Sequence, residues 1–168
     1  YKLVVNIEDV NSDADKLIIE DITVEIFEKN FLSGIQFVDK YNVANQKSIL
    51  SKSGFDLYPY KSNFFDALQE NLTFYIEVYN TDQLENNRFL LNTYIQGYKD
   101  EIIYKDSYSS KRMNAKLIVP HLQTYNISSL PKGNYSIVCE VKDVKNNLID
   151  KKIKFFQRNK EEINFQSQ

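Results

Sequence analysis

Two residues in this sequence have the chemistry of a catalytic centre: the single histidine, His121, and the single cysteine, Cys139. A zinc site needs three or four ligands, and no Cys, His or Asp-Glu cluster lies near His121 in the sequence. Cys139 alternates with Tyr135 and Ile137 on one face of an apolar stretch, which predicts a buried thiol without a neighbouring base. We therefore interpret His121 as a structural or surface residue and Cys139 as a core residue.

Other catalytic signatures are missing from the sequence. It contains no Gly-rich phosphate loop, no nucleophile elbow and no EF-hand spacing. Adjacent carboxylates such as Glu161 and Glu162 lie in a polar tail, where water is expected to surround them. We expect a protein that is not an enzyme, with no catalytic residues, no cofactor and no metal.

The composition is that of an ordinary globular chain of one or two small domains. Its 168 residues are 42% hydrophobic and 26% charged, with a net charge of −2. The chain is too apolar for disorder, and its charge favours neither nucleic acid nor an anionic membrane as partner. No apolar run approaches the ~20 residues of a transmembrane helix. A lone cysteine also excludes an internal disulfide.

Alternating apolar and polar residues predict β-strands along most of the chain. Residues 135–141 alternate, Asn146-Asn147 can form a turn, and "LIDKKIKFFQ" then alternates again, with Ile149, Ile153 and Phe155 on one face, which predicts a hairpin. Five further alternating segments lie between residues 71 and 128. About seven short strands in roughly 90 residues is the density of an immunoglobulin-like or fibronectin-like sandwich.

The first ten residues repeat the pattern of the last hairpin. Residues 1–10 align with residues 135–144 at a constant offset, and "DITVEIF", Asp21 to Phe27, reads as a second strand after a turn around residues 11–13. Short β patterns also coincide by chance. We favour an internal repeat in which residues 1–27 close one sandwich and residues 135–157 close the next.

The N-terminal hairpin would need opposing strands that the sequence does not obviously contain. Its predicted inward residues are Leu3, Val5, Ile7, Ile22, Val24 and Ile26. A lone two-stranded hairpin is marginal in water, and its free edges invite pairing. We expect the missing strands from upstream sequence, from a second polypeptide segment or from a partner. In isolation, residues 1–30 should show weak hydrogen-exchange protection compared with residues 71–157.

These patterns predict an all-β fold: an immunoglobulin- or fibronectin-like β-sandwich preceded by the closing strands of an incomplete first sandwich. The predicted parts are a partial first sandwich over residues 1–50, an ordered connector over 51–70, a complete sandwich over 71–158 and a polar tail over 159–168. The connector segment "SGFDLYPY" carries several large apolar residues. We therefore expect it to pack between the two sandwiches.

Closely spaced aromatic residues form the candidate contact surface: Tyr58, Tyr60, Phe64 and Phe65. An exposed aromatic row can stack on sugar rings or anchor a protein partner, whereas a domain junction would bury the same residues. All three interpretations are compatible with the residues. The lack of Trp counts against sugar binding.

Five segments together resemble one protein family. They are "YKLVVNIEDVN", "FLSGIQFVDKY", "SGFDLYPYKSNFF", "LTFYIEVYN" and "ISSLPKGNYSIVCEVKDVKNNLIDKKIKFFQRN". Their order and spacing resemble the middle of the GWxTD-domain proteins of Bacteroidota, in which two β-sandwich regions precede the domain that names the family. The Gly-Trp-x-Thr-Asp motif itself is absent from this chain. The resemblance implies an exported cell-envelope protein that faces the periplasm, and it supplies no catalytic residues.

The function predicted from the sequence is that of a non-catalytic cell-envelope scaffold. It would make protein–protein contacts within an outer-membrane or secretion assembly. The alternative is a carbohydrate-binding module accessory to glycan uptake. We expect protein partners, no nucleic acid and no transmembrane segment.

Overall fold

Strands make up most of the regular structure in a computed structural model that describes residues 1–12, 14–23 and 31–159. The strands are β1 (Lys2–Glu8), β2 (Asp15–Asp21), β3 (Gln36–Val43), β4 (Ser51–Lys52), β5 (Phe55–Pro59), β6 (Phe64–Phe65), β7 (Asn71–Tyr79), β8 (Arg88–Gly97), β9 (Ser109–Asn114), β10 (Ile118–Asn126), β11 (Gly133–Lys142) and β12 (Leu148–Arg158). Three 3₁₀ turns lie at Thr81–Gln83, Glu85–Asn87 and Lys105–Ser107. Within the described ranges, no helix has the length and apolar character needed to cross a membrane.

Two five-stranded sheets form a sandwich. The first, which we name the β7 sheet, has the strand order β10-β7-β3-β5-β4, and the second, the β11 sheet, has the order β6-β12-β11-β8-β9. Neighbouring strands are antiparallel, except that β6 runs parallel to β12. The all-β sandwich class predicted from the sequence is confirmed.

The hydrophobic core lies between the two sheets and is built from every second residue of their central strands. The inward residues of β7 and β11 are Leu72, Phe74, Ile76, Val78, Tyr135, Ile137, Cys139 and Val141. Because successive side chains of a strand point to opposite faces, this alternation is the pattern that predicted both strands. The predicted hairpin is present too, since β11 pairs with β12 in antiparallel register.

Residues 36–59 belong to the β7 sheet rather than to a junction between two sandwiches. The first part of β3 pairs with β7, and its second part pairs with β5, with an irregularity between Val38 and Lys40. The segment "SGFDLYPY" thus forms most of the β4–β5 hairpin instead of packing between two sandwiches. The predicted boundary at residue 50 separates β3 from β4 and β5, and the one at residue 70 separates β3, β4 and β5 from β7, although all of these strands belong to the same sheet.

The N-terminal hairpin forms a separate two-stranded sheet of β1 and β2. Its second strand is Asp15–Asp21, so the prediction of a strand at Asp21 to Phe27 is wrong where the structure describes it, and Val24 and Ile26 lie outside the described residues. The reason is a turn that closes early. The Asp9 carboxylate accepts hydrogen bonds from the Asn11 backbone and the Ser12 hydroxyl, while the Asp9 backbone donates to Ala14.

The central position of Cys139 gives a direct test of the β11 register. Its side chain is fully buried, and burial raises the pKa of the thiol. We expect slow reaction with a thiol reagent in the native state and fast reaction after denaturation. Cys139→Val should change the free energy of unfolding by less than about 1.5 kcal/mol, because the volumes match. Cys139→Asp should unfold the domain, because it buries an unpaired charge. Rapid native labelling would contradict this register.

Candidate functional site

The four aromatic residues predicted as a contact surface do not share one environment. Phe65 is only 3% exposed, and its ring packs edge-on against Phe37 at 5.5 Å and Phe156 at 5.7 Å between ring centroids. Phe65 is therefore a core residue. Tyr60 stacks on Phe65 at 4.7 Å, and its hydroxyl donates a 2.7 Å hydrogen bond to the Phe64 carbonyl. Both Tyr60 and Phe64 are half-buried.

Tyr58 lies apart from these residues in β5. It is half-buried, and the Lys40 ammonium lies 4.7 Å from the centre of its ring. A cation over a ring face interacts with the same π electrons on which a sugar would stack. Lys40 thus occupies one face of the Tyr58 ring and Phe65 one face of the Tyr60 ring, which leaves each ring at most one face on which a glycan could stack.

Among the residues whose burial is described, the most enclosed acidic side chain is that of Glu77, on the outer face of β7. It is 4% exposed and accepts hydrogen bonds from three hydroxyls: Ser53 at 2.5 Å, Tyr75 at 2.7 Å and Tyr79 at 2.5 Å. The Lys52 ammonium lies 3.3 Å from the carboxylate. We name these five residues the Glu77 clasp.

The β4–β5 hairpin builds this clasp by reaching the outer face of the β7 sheet. Its turn carries Ser53 and Lys52 to the carboxylate, and Gly54, with a φ of +92°, occupies a turn conformation that suits glycine. Leu57 of the same hairpin packs with Val38 and Tyr75 in a second small apolar cluster. The Lys52 ammonium also lies 5.3 Å from the centre of the Tyr75 ring.

The clasp holds Glu77 in its ionised form. Burial alone would raise the pKa of its carboxyl group, but the hydrogen bonds from Ser53, Tyr79 and Tyr75 and the charge of Lys52 outweigh burial, so the pKa lies below its usual value. Burial and the glutamate together raise the pKa of both tyrosines. The hydrogen-bond and ion-pair partners of Glu77 all come from the protein itself. We therefore interpret Glu77 as a structural residue that holds the β4–β5 hairpin against β7, rather than as a proton-transfer group.

A similar arrangement lies on the outer face of the β11 sheet. Glu140 accepts a 2.9 Å hydrogen bond from the Tyr94 hydroxyl and lies 3.2 Å from the Lys142 ammonium and 3.7 Å from that of Lys151. The Tyr94 ring stacks against Tyr108 at 5.8 Å. Each sheet therefore carries one tyrosine-bound, lysine-paired glutamate on its outer face.

His121 is buried, which excludes the surface position that the sequence analysis left open beside a structural one. It is 6% exposed, and its Nε2 lies 3.0 Å from the Gln123 Oε1, which also lies 3.4 Å from the Lys111 ammonium. Burial lowers the pKa of the imidazole. Nowhere in the described ranges do three or more His, Cys, Asp or Glu side chains gather as a metal site would need.

A cleft of about 410 Å³ opens at one end of the sandwich. It lies between the turn that contains Tyr104 and Ser107 and the end of β10, with Ile95 and Tyr125 in its lining. The Ser107 hydroxyl already donates to the Tyr104 carbonyl and accepts from the Ile95 backbone, and Tyr125 binds the Thr93 hydroxyl at 2.7 Å. These three hydroxyls are therefore engaged in hydrogen bonds within the fold.

The β1–β2 hairpin exposes large apolar side chains on both faces. Leu3 is 44% exposed and Ile7 is 51% exposed on one face, while Leu17 and Ile19 are 58% and 57% exposed on the other. The sequence analysis predicted a single inward face for this hairpin. Alternation within β1 could not show that β2 places Ile19 opposite Val4 and Leu17 opposite Asn6, which makes the second face apolar as well. Within the described chain, this hairpin is therefore our candidate for a surface that a binding partner covers.

Comparisons with known proteins leave the family open. No protein-family model matches this chain, and no curated protein matches it in sequence. The resemblance to GWxTD-domain proteins therefore rests on the five quoted segments and stays a prediction.

The Glu77 clasp makes a prediction about acid stability. Glu77→Gln should lower the free energy of unfolding by about 1–3 kcal/mol, because charged hydrogen bonds are lost in a buried setting. Since the folded pKa is lowered, the ionised carboxylate stabilises the protein above its unfolded pKa, and this contribution disappears as pH falls through the folded pKa. Denaturation of the variant should therefore depend less on pH below about 5.

The control for this measurement is Glu20→Gln, which changes an exposed glutamate of β2. We expect it to shift stability by less than about 0.5 kcal/mol. Equal stability and equal acid sensitivity of both variants would show that the clasp contributes nothing.

Proposed function

We propose that this chain is a non-catalytic β-sandwich scaffold that makes protein–protein contacts through its β1–β2 hairpin. The observation that carries the proposal is the exposure of apolar residues on both faces of this hairpin. Soluble proteins rarely leave contiguous apolar surface uncovered unless it meets a partner. The sandwich body also exposes large apolar residues, such as Val43 and Ile102, but it differs from the hairpin in enclosing a large apolar cluster between two sheets.

The energetics of the hairpin support the same proposal. An isolated two-stranded sheet is marginally stable in water, and only β1 and β2 form this one among the described strands. Full burial of one large aliphatic side chain contributes about 1.5–3 kcal/mol. A partner that covers Leu3, Val5 and Ile7, which share one face, would therefore both bind and order the hairpin.

Engagement of the reactive side chains supports a non-catalytic role. The enclosed carboxylates Glu77 and Glu140 are tied to tyrosines and lysines, and the Cys139 thiol lies in the core. Catalytic groups instead need a substrate within reach and a pKa matched to proton transfer. Placement in the cell envelope, facing the periplasm within an outer-membrane or secretion assembly, rests on the resemblance to GWxTD-domain proteins.

Carbohydrate binding is the second candidate, and exposed rings on the outer face of the β11 sheet favour it. Tyr98 is 53% exposed and Phe155 is 36% exposed, with ring centroids 5.0 Å apart. Their planes meet at 76°, however, so the pair does not offer the flat platform on which a sugar ring stacks. Binding on a glycan array that is lost in Tyr98→Ala would favour this second function.

Site-specific photo-crosslinking in native cells tests the main proposal. A photoreactive residue at Val4, which is 58% exposed on β1, should give protein adducts at several times the yield of the same residue at Lys47. Lys47 is a matched control, because it is exposed on the loop between β3 and β4. Equal yields from the two positions would contradict a contact role for the hairpin.

A further inference from the structure

The outer edge of β1 carries backbone groups that no described strand pairs. Tyr1 and Ile22 exchange two backbone hydrogen bonds, and the Asp9 backbone donates to Ala14, so the odd-numbered residues of β1 are the ones bonded to β2. Antiparallel pairs alternate between bonded and non-bonded positions. The N–H and C=O groups of Lys2, Val4, Asn6 and Glu8 therefore point away from β2, toward the free edge.

Two copies of β1 have complementary sequences when they are aligned antiparallel to each other. With Val5 opposite the Val5 of a second copy, Lys2 lies opposite Glu8 and Leu3 lies opposite Ile7. The two-fold axis repeats each contact, so one interface contains two Lys2–Glu8 pairs. Opposite charges directly across a strand pair stabilise it, as do apolar residues.

The same register also satisfies the backbone. It places Lys2 opposite Glu8 and Val4 opposite Asn6, and these are the residues whose N–H and C=O groups face the free edge. Leu3, Val5 and Ile7 then fall at non-bonded positions, where facing side chains approach most closely. A shift by one residue would place backbone groups that point to the free edge opposite backbone groups that are already bonded to β2. A shift by two residues would no longer place Lys2 opposite Glu8.

We propose that two copies of this chain associate through β1, antiparallel about a two-fold axis at Val5, to form a continuous four-stranded sheet. This inference rests on the proposed contact function and names its partner as a second copy of the chain. Self-complementary two-fold contacts are the commonest way in which identical chains associate. The added strand pairs supply main-chain hydrogen bonds, and the alternate side chains supply specificity.

The opposite edge of the hairpin is a poorer site for the same contact. In β2 the residues that face outward are Asp15, Leu17, Ile19 and Asp21. A two-fold pairing about Ile18 would place Asp15 opposite Asp21 twice. Like charges directly opposite destabilise a strand pair, so the β2 register that is equivalent to the proposed β1 pairing is unfavourable.

A charge-swap series measured by sedimentation equilibrium tests the pairing. The wild-type chain, of 19.8 kDa, should associate to twice this mass as its concentration rises. Lys2→Glu and Glu8→Lys should each raise the dimer dissociation constant by about tenfold, because each turns two attractive pairs into repulsive ones. The double variant K2E/E8K should return it to near the wild-type value. A double variant as weak as the single ones would overturn the register.

Cysteine cross-linking tests the position of the axis. Facing residues at a non-bonded position have Cα atoms about 4.5 Å apart, within the range of a disulfide. Val5→Cys should therefore form a disulfide-linked dimer on mild oxidation, while the buried Cys139 stays reduced. Leu17→Cys, at an exposed position on β2, is the control and should stay largely monomeric. Cross-linking through L17C but not V5C would overturn pairing through β1.

Residue-resolved hydrogen exchange gives a readout that needs no substitution. The amides of Val4, Asn6 and Glu8 should exchange more slowly as concentration rises, whereas those of Leu17 and Ile19 should stay fast. A chain that remains monomeric at all concentrations, while the photoreactive residue at Val4 still cross-links to a different protein in cells, overturns self-pairing and leaves the contact function standing. If the chain neither self-associates nor cross-links to another protein, both the self-pairing and the contact function are overturned.

Discussion

The structure depends on two central strands, β7 and β11, that are buried on both faces. Their inward residues form the core between the sheets, but Tyr75 and Glu77 of β7 and Ser136 and Val138 of β11 are also at most 4% exposed on the outer faces. A buried carboxylate is costly unless it is paired and hydrogen-bonded. This constraint explains the Glu77 clasp: the β4–β5 hairpin covers the outer face of β7 and supplies the serine and lysine that make burial of Glu77 tolerable.

The outer face of β11 meets the same constraint with long side chains instead of a hairpin. Tyr94 reaches Glu140 from β8, and Lys142 and Lys151 approach the same carboxylate from β11 and β12. The aliphatic parts of lysines can cover apolar surface while their ammonium groups stay near water. The sandwich body thus pairs the carboxylates of Glu77 and Glu140 internally, whereas the β1–β2 hairpin leaves both of its strand edges unpaired by any described strand and both of its faces open.

Period-two alternation was enough to predict the strands whose partners lie in the core, such as β7 and β11. It could not predict β3 as part of the same sheet, because the irregularity at Val38–Lys40 changes the strand's partner from β7 to β5. In β12 the predicted alternation is present, but Lys154 faces inward opposite Ile137, with its ammonium 4.8 Å from the centre of the Phe37 ring, while Ile153 is exposed. The candidate contact surface shows the same limit of sequence reasoning. Phe64 and Phe65 are adjacent in the sequence, and their spacing could not show that the core encloses Phe65 while Phe64 is only half-buried.

The charges at the ends of β1 limit what its free edge can bind. An open edge with Leu3, Val5 and Ile7 would otherwise pair with almost any extended chain, which is how unprotected edges cause aggregation. A parallel second copy would place Lys2 opposite Lys2 and Glu8 opposite Glu8, and an antiparallel copy shifted by two residues would no longer place Lys2 opposite Glu8. Only one of these arrangements of the second copy matches apolar residues, charges and backbone hydrogen bonds together. Lys2 and Glu8 therefore act less through the strength of their ion pairs than by excluding the alternatives, so that an edge prone to general pairing becomes selective for one register.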